Sequence, residues 1–286
     1  MKRLAVLAAF LLIAFVAVAA WCWTDAQRRD LGDLARHMPR RTALMAERER
    51  EARAKGRTAR VDQRTVPYAR IAPVLRRAVL VAEDDAFFQH AGLDWNEIRA
   101  SAKKNWEEKK IARGGSTVTQ QLAKNLYLGS SRNPIRKLTE VFLAMRLERA
   151  LGKQRIFELY LNLIEWGDGV YGIEAAARRD FGIPASALGP RQAVLLAAVI
   201  INPRRYSVLH PSKRIENRAR MIAKRLYRRG LLDEREYHLA LGEPWEPPAD
   251  SLAAADSTLP VALPESVAEA PPADSLAPPD TLPQAP

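Results

Sequence analysis

The stretch PVLRRAVLVAEDDAFFQHAG, Pro73 to Gly92, changes character at its midpoint. From Pro73 to Ala82 it is apolar at helical spacing, and that helix delivers Glu83 at its end. A polar turn with Phe87, Phe88 and His90 follows. A carboxylate flanked by apolar groups acquires a raised pKa, which suits a general base. The plainer reading is a solvated acidic turn of Glu83, Asp84 and Asp85, and the segment alone favours it. His90 reads as a structural hydrogen-bonding residue rather than a base.

Outward from this stretch the pattern stays helical. Thr117 to Tyr127, Ile135 to Leu151, Lys153 to Leu163, Gly172 to Phe181, Gly189 to Ile201 and Pro211 to Arg229 all carry helical periodicity. No segment sustains a two-residue alternation. The region from Val66 to about Glu243 is therefore expected to be nearly all α.

Three more polar blocks share this region. Gly114-Gly115-Ser116-Thr117 breaks the chain and opens a helix, and Thr117 with Gln120 forms a T-x-x-Q capping box. Free N–H groups at such a start can receive an anion. Thr117, Gln121 and Lys124 recur on one face, and Lys124 stands where a diphosphate oxygen could be paired. A well-capped surface helix explains Thr117 and Gln120 but leaves the double glycine unexplained. Arg132, Arg136 and Lys137 come next, with Glu140 one turn beyond Arg136; alone, Arg136 and Glu140 would read as an ordinary surface pair. Lys153 opens a helix with Ile156, Phe157, Tyr160 and Leu161 on its apolar side and Glu158 and Asn162 one turn apart. Two motif matches fail on context. Gly167 to Gly172 fits G-x-G-x-x-G but follows a helix, not a strand. Ser101-Ala102-Lys103-Lys104 fits S-x-x-K but has no K-T-G partner.

The amino end reads as a membrane anchor. Leu4 to Trp23 holds no charged residue and follows Lys2 and Arg3. Twenty residues at helical rise span about 30 Å, the hydrocarbon thickness. The basic end should stay in the cytoplasm, with the rest exported. A cleavable signal peptide is the alternative, since Ala17-Val18-Ala19 resembles a cleavage site. Trp21 is too bulky for Cys22 to serve as a lipoprotein cysteine. Cys22 is also the only cysteine, which excludes an intramolecular disulfide and any cysteine-built metal site. Residues 24–65 carry 12 Lys or Arg against 7 Asp or Glu and are read as a basic stalk near the headgroups. The last 40 residues hold ten prolines, six acidic side chains and no Lys or Arg, so disorder is expected over 244–286. Net charge is +12, which leaves +18 on the remainder. For an exported, tethered chain this favours anionic headgroups and diphosphates over nucleic acid.

Together the blocks resemble the family 51 glycosyltransferases, and more closely the monofunctional peptidoglycan transglycosylases. The motif E-D-x-x-F-x-x-H-x-G falls on Glu83, Asp84, Phe87, His90 and Gly92; G-G-S-T-x-T-Q-Q on Gly114 to Gln121; R-K-x-x-E on Arg136, Lys137 and Glu140; and K-x-x-I-L-E-x-Y-L-N on Lys153 to Asn162, with Phe157 where Leu is usual. Asp180 stands where an aromatic is common. The resemblance covers about Val66 to Arg229. It implies a mainly α, lysozyme-like glycosyltransferase domain (66–243) with a small membrane-embedded jaw, preceded by the transmembrane anchor (1–23). It implies lipid II as acceptor and the lipid-linked growing glycan as donor, at the inner membrane with the domain on the periplasmic side. Other cell-wall synthesis proteins are candidate partners. The roles implied are Glu83 as base and Glu140 as a catalytic-site carboxylate that positions cations or the leaving diphosphate. Ser116, Thr117, Gln120 and Gln121 would line the cleft. Lys124, Arg132, Arg136 and Lys153 would hold diphosphate, with Mg or Mn a candidate assistant. A glycan-cleaving enzyme of similar fold and a non-catalytic membrane scaffold are the rival readings; the first needs a proton donor and no cation cluster.

Overall fold

A computed structural model describes residues 2–108, 115–130 and 133–246. The acidic proline-rich tail from 247, Gly114 and Arg132 lie outside the described residues. Eleven α-helices are present among those described: α1 Lys2–Arg28, α2 Ala43–Ala54, α3 Pro73–Glu83, α4 Trp95–Glu108, α5 Val118–Ala123, α6 Pro134–Ala150, α7 Lys153–Leu163, α8 Ile173–Phe181, α9 Pro190–Val199, α10 Lys213–Arg228 and α11 Glu234–Leu241. A π-helical turn, Lys124–Leu128, continues α5. Three short strands, β1 Asp62–Gln63, β2 Glu165–Gly167 and β3 Val170–Tyr171, pair in the order β1-β3-β2.

The core is built around α9, in which Ala193 to Val199 are all buried. Pro190 occupies its first turn, where a missing N–H costs nothing. A helix apolar on all sides must be surrounded, and α3, α10 and α11 pack on it. α10 contributes one apolar stripe, Ile215, Ala219, Ile222, Ala223 and Leu226, and leaves its basic face outside. In α7 the buried Asn162 and the partly buried Glu158 act as staples. Asn162 accepts the Val66 N–H at 2.8 Å and donates to the Val66 carbonyl at 3.0 Å, and Glu158 accepts the Tyr68 N–H at 3.1 Å. These bonds fix the chain that leads into α3 and so help set where Glu83 emerges.

The described domain is nearly all α as expected, with one small three-stranded sheet added. Strands of two and three residues are too short to show an alternation. The rejected G-x-G-x-x-G match falls here, and its glycines have a packing reason. Gly169 (φ +71) and Gly172 (φ +86) sit where a Cβ would run into the carbonyl oxygens of Arg60 and Arg64 beside β1. α4 and α11 lie outside the spans that the periodicity predicts.

Residues 24–65 do not stand apart as a stalk. Ala26, Leu31 and Leu34 belong to the main core, and Leu44 and Met45 of α2 bury against Tyr171. Arg48 Nε pairs with the buried Glu165 at 3.1 Å, and Arg155 donates to the Leu34 and His37 carbonyls at 2.8 and 3.0 Å. A count of charges hides this, because a few apolar side chains and scattered polar contacts do the docking within a solvated majority.

α1 is long and apolar enough to cross a membrane, with mean hydropathy 2.8 over an 18-residue window and none of that window buried. Only its last turns touch the domain. Cys22 and Ala26 are buried against α6, with the Cys22 thiol donating to the Ile135 carbonyl at 3.5 Å. Arg146 of α6 donates to the Ala26 and Arg29 carbonyls, satisfying acceptors that a helix end otherwise leaves open.

Candidate active site

Glu83 is the last residue of α3, and its side chain is 13% exposed. Gln121 Nε2 of α5 donates to Oε2 at 3.0 Å. Arg218 Nη2 of α10 donates to Oε1 at 2.9 Å and to the Ala82 carbonyl at 3.2 Å. Burial pushes the Glu83 pKa above its ordinary value, and Gln121, Arg218 and Lys124 only partly oppose that shift. The solvated-turn reading therefore fails for Glu83. Of the three acidic residues only Asp85 is exposed, and it pairs with Arg229.

Asp84 faces the other way. Its buried carboxylate takes His90 Nε2 at 2.9 Å and the Val118 N–H at 2.8 Å. Thr117 and Gln120 complete the capping box, and the Thr117 hydroxyl donates to the Gly92 carbonyl at 2.7 Å. The start of α5 is thus closed by protein groups. The expectation that it receives a substrate anion is corrected here, because Asp84 is already the anion at that helix end. Gln120, 2% exposed, is a capping residue by its contacts. His90 is the structural hydrogen-bonding residue expected. Gly115 enters the turn at φ +98, a conformation glycine adopts readily. Ser116 accepts Lys137 Nζ at 2.7 Å.

Lys124 opens the π turn. Burial lowers its pKa; Glu140 pulls it up, Arg136 and Lys137 push it down, and Glu83 pulls it up again. Glu140, 2% exposed, accepts Arg136 Nη1 on Oε2 at 3.0 Å and Lys137 Nζ on Oε1. Glu140 thereby orders two cations and does not itself line the cavities described next. Lys153 lines neither of them. Its ammonium pairs with Glu148 at 2.8 Å, lies 4.3 Å from the centre of the Phe87 ring, and shares Glu148 Oε1 with the Thr119 hydroxyl. These contacts tie the start of α7 to α5 and the Phe87 turn.

Two cavities meet at Glu83 and Gln121. The larger, ≈ 880 Å³, is lined by Glu83, Ser116, Thr117, Arg218, Arg225 and Arg229 among others. The second, ≈ 360 Å³, is lined by Gln121, Lys124, Asn125, Tyr160 and Asn202 among others. One holds the carboxylate and the other the buried ammonium, and the Gln121 side chain spans them. Tyr160 decides which way Gln121 points. Its hydroxyl donates to Gln121 Oε1 at 3.1 Å, which leaves Nε2 for Glu83. The phenol is fully buried, and its pKa is pushed well up by burial, then by Glu83 and Asp84.

Sequence reasoning missed Arg218 and the hydroxyl of Tyr160. Arg218 lies 135 residues from Glu83. Its one signal is its place beside the buried Ala219 on a helix whose other cations face water. Tyr160 was counted only for its apolar body.

A family-wide sequence profile described as Transglycosylase matches residues 50–227. The chain belongs to the transglycosylase family. The matched span of this transglycosylase includes Glu83, Gln121, Lys124, Glu140, Tyr160 and Arg218. Among curated relatives, a biosynthetic peptidoglycan transglycosylase of Nitrosomonas eutropha is 47% identical over 188 residues, covering 66% of this chain and 77% of the relative. One of Laribacter hongkongensis is 40% identical over 225 residues, covering 78% and 93%. One of Methylobacillus flagellatus is 45% identical over 190 residues, covering 66% and 83%.

Proposed function

We propose that this transglycosylase is a peptidoglycan glycosyltransferase that polymerises lipid II into β-1,4-linked glycan during cell-wall synthesis. The observation that carries the reading is the buried Glu83 carboxylate. It opens on the larger cavity, its pKa is raised by burial, and the Lys124 ammonium lies on the other side of Gln121. The growing glycan is the donor and lipid II the acceptor, each carried on a lipid diphosphate. Glu83 takes the proton of the acceptor 4-hydroxyl as its oxygen attacks the donor anomeric carbon. The bond from that carbon to the diphosphate oxygen breaks, the diphosphate leaves with the bonding pair, and the configuration inverts. A diphosphate leaves without protonation when cations meet its charge. Lys124 supplies one; Arg136 and Lys137, held by Glu140, add to the positive field around it. Arg218, Arg225 and Arg229 line the Glu83 side, where the acceptor carries its own diphosphate. Ser116 and Thr117 line the same cavity.

Among the described residues no three His, Cys, Asp or Glu side chains are grouped to hold a metal ion. A Mg or Mn ion would instead rest chiefly on the substrate diphosphate, as Mg²⁺ commonly does with one or two carboxylates beside it. The finer placement is also a proposal: α1 spans the inner membrane, and the domain works on its periplasmic face. Lys2 and Arg3 at one end of the apolar run support this orientation. Exposed Phe88 and Trp95 near the cleft support a jaw that meets the bilayer. The test is polymerisation of labelled lipid II by the full-length protein in detergent. Lysozyme-sensitive polymer from the wild type and none from Glu83→Gln supports the reading. Release of soluble muropeptides from purified sacculi would support glycan cleavage instead.

A further inference from the structure

At the foot of the apolar helix the fold leaves a cavity of ≈ 790 Å³ between the end of α1 and the end of α6. Arg28 and Arg29 line one side, Arg146 and Arg149 the other, and Asp30 is the single acidic lining residue. Two of the arginines are committed. Arg29 pairs with Asp25 at 3.1 Å, and Arg146 is spent on the Ala26 and Arg29 carbonyls. Arg28 and Arg149 are exposed, and neither forms an ion pair or side-chain hydrogen bond among the described residues. The proposed transfer reaction gives them no task.

Depth points to the occupant. The apolar run ends at Trp23, whose ring is exposed. Arg28 lies five residues further, about 7–8 Å at helical rise. The polar layer of a bilayer extends about 5–8 Å beyond the hydrocarbon on each face. The unpaired guanidiniums therefore sit level with lipid phosphates. Charge decides the sign of the ligand. Two helix C-termini converge on the cavity, each with about half a negative charge. Against those, Asp30 and Asp25, four guanidiniums still leave a positive surplus. Guanidinium offers paired N–H groups that match phosphate oxygens. Leu31, Ala35 and Leu151 supply an apolar wall for the glycerol end of a lipid.

We infer that the cavity between α1 and α6 binds the phosphate of an anionic phospholipid from the surrounding bilayer, held between Arg28 and Arg149. The site is separate from the Glu83 cleft, so Glu83→Gln is expected to bind lipid like the wild type. The experiment is native mass spectrometry of the full-length protein in detergent, titrated with phosphatidylglycerol or phosphatidylcholine. Wild-type protein is expected to retain phosphatidylglycerol at least tenfold more tightly than phosphatidylcholine. Arg28→Glu combined with Arg149→Glu is expected to abolish that preference. Lys213→Glu combined with Lys224→Glu changes net charge equally at exposed positions away from the cavity and is expected to leave it intact. Neither pair of substitutions is expected to unfold the protein, because none of the four side chains has a hydrogen-bond or ion-pair partner among the described residues; reversing charge at the α1 and α6 C-termini carries only a small cost. Equal binding of the two lipids, equal weakening by both double variants, or displacement of the lipid by millimolar inorganic phosphate would overturn the inference.

Discussion

Glu83 and Glu140 are both largely removed from solvent, both within reach of cations, and both part of a recognisable motif, yet the fold treats them differently. Each oxygen of Glu140 is taken by a cation from its own helix, Arg136 or Lys137, one turn or less away. Glu83 meets its partners from other helices, Gln121 on α5 and Arg218 on α10, and borders an open cavity. A carboxylate saturated by local cations holds them in place. One left partly desolvated beside a cavity is poised to accept a proton. The difference shows that what surrounds a buried acid assigns its task, more than the motif that delivers it.

The largest test of this contrast is Glu83→Gln. It is expected to lower kcat by about 10²–10⁴-fold, the usual value of a general base, and to leave unfolding unchanged or slightly improved. The sign follows from the raised pKa: the folded-state value lies above the unfolded one, so ionising Glu83 costs stability as pH rises through that interval. Full activity of the variant at neutral pH would end the assignment. Glu140→Gln is expected to do the reverse in kind. Lys137 is 44% exposed and only Arg136 is mostly buried, so the loss is expected to be about 1–3 kcal/mol, visible in urea melts. A variant as stable as wild type would show that Glu140 does not organise Arg136 and Lys137.

The pH–rate profile gives the next measurement. Activity is expected to rise with pH through a limb above the ordinary carboxylate range and to fall through a limb below the ordinary lysine range, reflecting Glu83 and Lys124. Arg218→Met removes a charge that favours the ionised Glu83 and is expected to move the acid limb to higher pH. An unmoved limb would detach Arg218 from the base. The smallest effect belongs to Tyr160→Phe. It loses one hydrogen bond to Gln121, worth about 0.5–1.5 kcal/mol, and is expected to cost a few-fold in rate without shifting the acid limb.

Most helices were legible because burial imposes their 3.6-residue period. α3, α6, α7, α9 and α10 fall within a few residues of their expected spans. Thr117 and Gln120 form the capping box their spacing announced. Less legible were groups whose partners lie far along the chain. Arg48 finds Glu165 117 residues away, and Arg218 finds Glu83 135 residues away. No local pattern encodes either meeting. The charge density of residues 24–65 also misled, since docking depends on a few apolar and arginine side chains within a solvated majority. Lys153 shows the same limit from the other direction: the motif marks it for a functional block, and only packing reveals Glu148 and Phe87 as its neighbours.

The clasp of Arg146 on the last carbonyls of α1 has a mechanical consequence. Because the anchor is gripped where it meets the domain, and the chain that follows is stitched into the core, the domain cannot swivel on a loose tether. With α1 upright in a bilayer, the cleft is held at one altitude and one heading, as a tool is held on a rigid shaft.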